Sequence, residues 1–198
     1  VGWSGDNTVT VAHSLYAPDA NIVAAAGKTA INHGATFVRG NTPTVETSCY
    51  YTETMGSAQG THAYVLATAP ANFGNLVQDY GKVKAYENGI LYGGKYYAAP
   101  TSLIGSGTEK SPHVIDNEFD WICFATSVNN GTNYSGQFVK LNSDISVSEM
   151  VGSSETNSFQ GTFLGGGHTI TAAMTDNING GAAPFRYIKN ATIKNLTV

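Results

Sequence analysis

Charge is scarce in this sequence. Asp, Glu, Lys and Arg make up 12% of the 198 residues, and the formal net charge is −4. The ten Lys and Arg residues are scattered, so there is no basic stripe, and nucleic acid and anionic membranes are excluded as electrostatic partners. No apolar run approaches the roughly 20 residues of a membrane-spanning helix, and no membrane insertion is expected. Metal-ligand spacing is missing too. His13, His33, His62, His113 and His168 each lack a second ligand at zinc spacing, so no metal and no other cofactor is expected. Nucleophile-elbow, phosphate-loop and dinucleotide motifs do not occur. No carboxylate pair is marked to flank a glycosidic bond. Asp116, Glu118 and Asp120 read instead as charges favoured at the start of a helix. No catalytic residue is therefore named.

Cysteine is nearly absent. Cys49 and Cys123 are too few for a disulfide scaffold and too distant in sequence for CxxC chemistry. Two readings stay open: a pair of buried thiols, or one disulfide linking the two halves, which an extracellular location would permit.

What the chain does have is glycine, serine, threonine and asparagine, with 41% hydrophobic residues. That mixture fits a globular β protein with many turns. Val9 and Val11 alternate after the turn residues Gly5-Asp6-Asn7 and predict a strand. NIVAAAG, preceded by Asp19 and stopped by Gly27, reads as a short capped helix or a buried strand. INHGATFVRGN suggests strand–turn–strand, and Thr44 to Thr54 and HAYVLATA read as strands. VKAY and ILY flank Glu87-Asn88-Gly89, and Asn-Gly is a strong hairpin signal. GGKYYAAP adds a further extended piece. Thr101 to Pro112 is a loop by composition. It divides an N-terminal β-rich domain, 1–105, from a second domain, 106–198.

In the second domain Asn117 can cap a helix over about 117–129, ended by Asn129-Asn130-Gly131. Trp121, Phe124, Ala125 and Val128 fall on one face, with Cys123 roughly opposite and facing away. Val139, Leu141, Ile145 and Val147 form an alternating inward face, interrupted by a turn at Asn142 to Asp144. Phe159, Gly161 and Phe163 alternate up to Gly165-Gly166-Gly167, and Ile170 and Ala172 resume the pattern. Three glycines permit positive φ and leave room for a neighbouring backbone. Ile193, Leu196 and Val198 repeat the alternation, with a slip at Asn195. That Asn is either a stacked ladder residue or an exposed turn residue.

Four blocks run in order here: HVIDNEFDWICFATSVNNGTNYSG, QFVKLNSDISV, FQGTFLGGGHTI and APFRYIKNATIKNLTV. Over about Pro112 to Val198 they resemble the opening coils of bacterial surface proteins that carry GLUG-type repeats and fold as right-handed β-helices. One departure stands out. The turn after Phe163 in that family carries Asp and then Gly-Asn-Gly, where this chain has Leu164-Gly165-Gly166-Gly167.

The resemblance implies an all-β chain in which a capping helix precedes the first coils of a right-handed parallel β-helix. It implies that the helix covers the apolar end of the stack, and that His168 serves packing or a turn hydrogen bond. It also implies a secreted or cell-surface, adhesin-like or stalk module without enzymatic activity, whose partner is an extracellular glycan or protein. A surface-filament subunit joined through open strand edges and a polysaccharide-active lyase or hydrolase are the alternatives. Tyr50, Tyr51, Tyr92, Tyr96 and Tyr97 are the candidate ligand-stacking residues, with ordinary strand tyrosines as the other reading. The chain starts at Val1 without Met or signal peptide and stops at Val198 within a strand pattern. The expectation is a longer natural protein, and self-association through an open C-terminal end.

Overall fold

The computed structural model describes residues 3–4, 8–18, 35–40, 43–54, 56–174 and 181–198. The Gly5-Asp6-Asn7 turn, the NIVAAAG segment and the start of INHGATFVRGN lie outside them. The chain is β-rich, with eighteen short strands and one helix among the described residues. It forms two compact units, Val1–Ala99 and Pro100–Val198. The division expected at 105/106 lies a few residues further on, in the same irregular run.

The first unit opens with parallel pairs of very short strands. β1 (Trp3–Ser4), β2 (Val9–Val11) and β3 (Leu15–Tyr16) pair respectively with β4 (Arg39–Gly40), β5 (Pro43–Val45) and β6 (Tyr50–Tyr51), and β6 pairs on with β7 (Thr61–His62). The single strand expected over Thr44 to Thr54 is therefore two. They are separated by a turn where the Cys49 N–H donates to the Glu46 carbonyl at 3.0 Å. The rest is an antiparallel meander of β8 (Tyr64–Leu66), β9 (Leu76–Asp79), β10 (Val83–Tyr86), β11 (Gly89–Tyr92) and β12 (Lys95–Ala98), in spatial order β8-β12-β11-β10-β9. The predicted hairpin joins β10 to β11, but its turn residues are Glu87 and Asn88, and neither has positive φ. Gly89 is required for another reason. A Cβ there would collide with the Phe73 ring and the Tyr97 carbonyl. The positive-φ turn, at 59° and 76°, is Gly93-Gly94, which joins β11 to β12.

The second unit is a parallel ladder. β13 (His113–Ile115), β14 (Phe138–Leu141), β16 (Thr162–Leu164) and β18 (Thr192–Lys194) pair in that order, and β15 (Ile145–Val147) pairs with β17 (Ile170–Ala172). The register aligns His113, Val139, Phe163 and Ile193 in one column and Ile115 with Leu141 in another. Val139, Leu141, Ile145 and Val147 are buried while Lys140 and Ser146 between them are exposed, the alternation expected of a one-sided strand. Parallel bridges Val151–Phe185, Phe159–Ile188 and Thr169–Thr197 continue the stacking outside the named strands.

The helix α1 (Glu118–Asn129) follows β13. Its start is held reciprocally. The Asn117 Oδ1 accepts from the Asp120 N–H at 3.0 Å, while the Asp120 Oδ2 accepts from the Asp116 N–H at 3.0 Å and from the Asn117 Nδ2 at 2.9 Å. These bonds satisfy donors that a helix start leaves open. Burial pushes the Asp120 carboxyl above its ordinary value, against those hydrogen bonds. α1 packs on β13 and β15. Trp121 meets Phe185 at 5.4 Å and Phe163 at 6.1 Å, and Phe124 meets Phe159 at 5.3 Å. The Trp121 Nε1–H donates to the Glu149 carbonyl at 2.8 Å, so its polar edge is satisfied inside the core. The single-face expectation is corrected here. Phe119, Ile122 and Cys123 are buried as well as the predicted stripe, which is the pattern of a helix enclosed on more than one side.

The glycine turn joins β16 to β17. Gly166 and Gly167 have φ of 64° and 83°. A Cβ on Gly165 would run into the Asn195 carbonyl and Leu196. The Gly165 and Gly167 N–H groups donate to the Lys194 and Asn195 carbonyls, both at 2.8 Å. The turn thus lies directly on the next one along the stack. Asn195 is exposed with φ of 57°, an exposed turn residue. Among the described residues, glycines and not asparagines stand against it.

Candidate binding groove in the first unit

The proposed tyrosine set does not form one surface. Tyr50 is 4% exposed and Tyr97 9%, and both belong to a core cluster with Ala63, Ile90 and Ala99. Burial pushes the Tyr50 hydroxyl above its ordinary value. Tyr96 and Tyr97 are neighbours on β12, so the two-residue period sends them to opposite faces. Tyr96 meets the Phe73 ring edge-on at 5.3 Å. Tyr51 meets His62 at 5.4 Å, and His62 in turn meets Tyr64 at 4.8 Å. Of the five, Tyr92 alone borders the groove described next.

That groove has a volume of about 780 Å³ and lies between the 12–17 segment and the meander. Val83 and Tyr92 are cross-strand partners on β10 and β11, so their side chains share a face. Tyr80 follows β9, and its N–H donates to the Val83 carbonyl at 2.9 Å. Leu15 and Val83 form the floor and pack on the cluster around Tyr50 and Ile90. Tyr16, held edge-on against Phe37 at 6.3 Å, closes one side. His13 lies at the rim with φ of 47°, and its N–H donates to the Ser48 Oγ at 3.1 Å. Its Nδ1 is 3.3 Å from the Tyr80 hydroxyl. No Asp, Glu, Lys or Arg is among the described lining residues.

Sequence reasoning named Tyr92 and missed Tyr80, Tyr16 and His13. Tyr80 carried a readable signal, an aromatic residue one position before Gly81 at a strand end. His13 carried none, because a left-handed histidine leaves no mark in the pattern.

Both cysteines are free and buried, so the disulfide alternative does not hold. Cys49 packs with Phe37 and Val38 in the first unit, where its Sγ–H donates to the Val11 carbonyl at 3.1 Å. Cys123 is inside the second unit on α1. Trp121, Phe124, Phe159 and Phe163 are all core residues there. His168 makes a turn contact, its Nδ1 lying 3.3 Å from the Asp144 Oδ1. The three acids near the helix start are spent on structure. Asp120 takes the cap bonds, Asp116 accepts from the Asn142 Nδ2 at 3.0 Å, and Glu118 is in the first turn. Among the described residues no three His, Cys, Asp or Glu side chains gather as metal ligands, and no helix is long and apolar enough to cross a membrane. No family model, curated protein or solved structure matches the chain.

Proposed function

We propose that this chain is a non-enzymatic, extracellular, adhesin-like binding and stalk module of a bacterial surface protein. The observation that carries the reading is the in-register parallel stack of β13, β14, β16 and β18 with its filled interior. It supports taking the second unit as the first coils of a right-handed β-helix, with α1 covering the end at which the stack begins. Each coil in such an array leans only on its neighbours, so the array extends in one direction and holds another unit at a distance. The ordered sequence blocks add the bacterial surface setting.

Protease shaving of intact source cells tests the location, and adhesion of chain-coated beads to glycan- and protein-coated surfaces tests the role. Release of peptides from 113–198 together with bead adhesion is the expected result. Absence of such peptides from the shaved fraction, or turnover of a polysaccharide by the purified chain, would overturn the reading.

A surface-filament subunit is the second reading, and one observation favours it. Among the described residues β9 pairs on one side only. On β9 all four residues are exposed, Leu76 at 49% and Val77 at 53%. Open apolar edges pair between copies. Size exclusion across a concentration series separates the two readings. Growing oligomers that Val77→Lys dissolves favour a filament, and a monomer throughout removes it.

A further inference from the structure

We infer that the groove bounded by Tyr80 and Tyr92 is a binding site for neutral sugars of the pyranose type. This rests on the binding-module part of the proposed function and names its ligand class and its place. The groove's volume of about 780 Å³ falls in the usual range of small-ligand sites, about 300–1,000 Å³, enough for a short oligosaccharide. Tyr80 is 55% exposed and Tyr92 45%. These are large rings left open beside an apolar floor of Leu15 and Val83. A pyranose ring presents an apolar C–H face that stacks on such rings, and a rim of hydroxyls that both donate and accept.

The polar groups of the groove match that rim. The Tyr80 and Tyr92 hydroxyls each donate and accept, the Ser14 Oγ, which donates to the Ala12 carbonyl at 2.9 Å, still accepts, and His13 offers a ring nitrogen. The Tyr80–His13 contact is long at 3.3 Å, so a ligand hydroxyl can replace it at small cost. His13 is held at φ of 47°, and backbone strain of this kind concentrates at binding sites. The described lining residues include no charged side chain, so they offer no cation to an acidic or sulfated sugar and no carboxylate to a basic peptide. That selects a neutral saccharide.

The test is binding of the full chain to immobilised neutral oligosaccharides, with sialylated and sulfated glycans and a peptide library in parallel. Neutral glycans should be retained and displaced by free sugar. Tyr80→Ala and Tyr92→Ala should each weaken retention by about tenfold, the scale of one lost aromatic contact. Ile104→Ala, an equally exposed apolar residue of the other unit, should leave it unchanged. Both tyrosine variants should keep the parent melting temperature, since their rings are open to solvent. Retention of only charged glycans or only peptides, no retention at all, or neutral-sugar retention that survives both tyrosine variants would each overturn the inference. The outcomes separate from those of the surface reading. Shaved peptides without sugar binding remove the groove site and leave the surface module. Sugar binding lost in the tyrosine variants, without shaved peptides, does the reverse.

Discussion

The two units both contain parallel strands, yet they are filled differently. In the second, Trp121, Phe124, Phe159, Phe163 and Phe185 touch one another through edge-on and stacked contacts, from 4.9 Å for Phe163–Phe185 to 6.4 Å for Phe124–Phe185. One aromatic interior runs through successive rungs of the ladder. Among the described residues of the first unit the core is divided. One cluster surrounds Tyr50, Ile90 and Tyr97, the other Phe37, Val38 and Cys49. A continuous aromatic core ties its rungs into a single cooperative block. A divided core leaves aromatic side chains over for the surface, and the open tyrosines of the groove are such residues. The second unit thus packs its aromatic rings into a shared interior, while the first leaves Tyr80 and Tyr92 55% and 45% exposed.

The strongest way to break this comparison is to empty the aromatic interior. Trp121→Ala should cost roughly 3–5 kcal/mol, the range for a large buried aromatic. Hydrogen exchange should show protection lost over 138–172 and kept over 83–98. A cost below about 1 kcal/mol, typical of surface changes, would mean that Trp121 does not hold the ladder together. The counterpart in the first unit is Ile90→Ala. It should cost about 2–4 kcal/mol and loosen 83–98 alone. If either substitution unfolds both units together, the division into two cooperative blocks is wrong.

How much of this was legible depends on how far apart the partners lie in sequence. Asn117 marked a helix start, and the Val139–Val147 alternation marked an inward face, because both signals are local. The enclosure of α1 was not legible, since what covers Ile122 and Cys123 depends on packing outside the helix. The parallel pairs of the first unit escaped because Leu15–Tyr16 and Tyr50–Tyr51 are two residues long, too short to show a period. The hairpin at Asn88-Gly89 was read correctly from the wrong cause, as Gly89 makes room for Phe73 and does not supply a positive φ. The tyrosines misled because composition counts rings without recording burial. Tyr97 and Tyr92 share a face of the meander, since Tyr97 pairs with Ile90 and Ile90 lies two residues before Tyr92 on β11; their place along the strands puts Tyr97 in the core and Tyr92 at the groove.

A finer comparison lies within the glycine turn. Gly165→Ala places a methyl against the backbone of Asn195 and Leu196 and should cost about 1–3 kcal/mol, as overpacking does. Gly167→Ala meets nothing within 4 Å but must hold φ of 83°, and should cost about 1 kcal/mol. Equal or reversed costs in denaturant melts would show that backbone conformation, not the close approach of the next turn, limits this site.

The smallest effect separates the units by how their exposed turn carboxylates are tied. In the second unit the Asp144 Oδ1 accepts from the Thr169 N–H at 2.9 Å and lies 3.3 Å from the His168 Nδ1. Thr169 sits beside β17, the strand stacked on β15. The Thr169 N–H, with His168 adding to it, holds the Asp144 carboxyl below its ordinary value. In the first unit Asp79 is also held below its ordinary value, by Lys84 at 3.0 Å and by the Gly81 N–H. Both of its partners belong to the same local hairpin. A carboxyl whose folded pKa is depressed adds stability above the ordinary Asp range, and that stability is lost as pH falls through the folded value. Asp144→Asn and Asp79→Asn should therefore each lower the denaturant midpoint slightly at pH 7, and each gap should close in acid. Solvent and salt screen both sites, so the two shifts will be of similar small size. What should differ is reach. Loss of Asp144 unties two stacked turns and should speed hydrogen exchange at Ile170 and Ile145 alike, because the Ile145 N–H donates to the Thr169 carbonyl at 3.0 Å. Loss of Asp79 should affect only the β9–β10 turn. Faster exchange confined to Asp144's own neighbours in sequence would show that the stacked turns of the second unit do not share their stability.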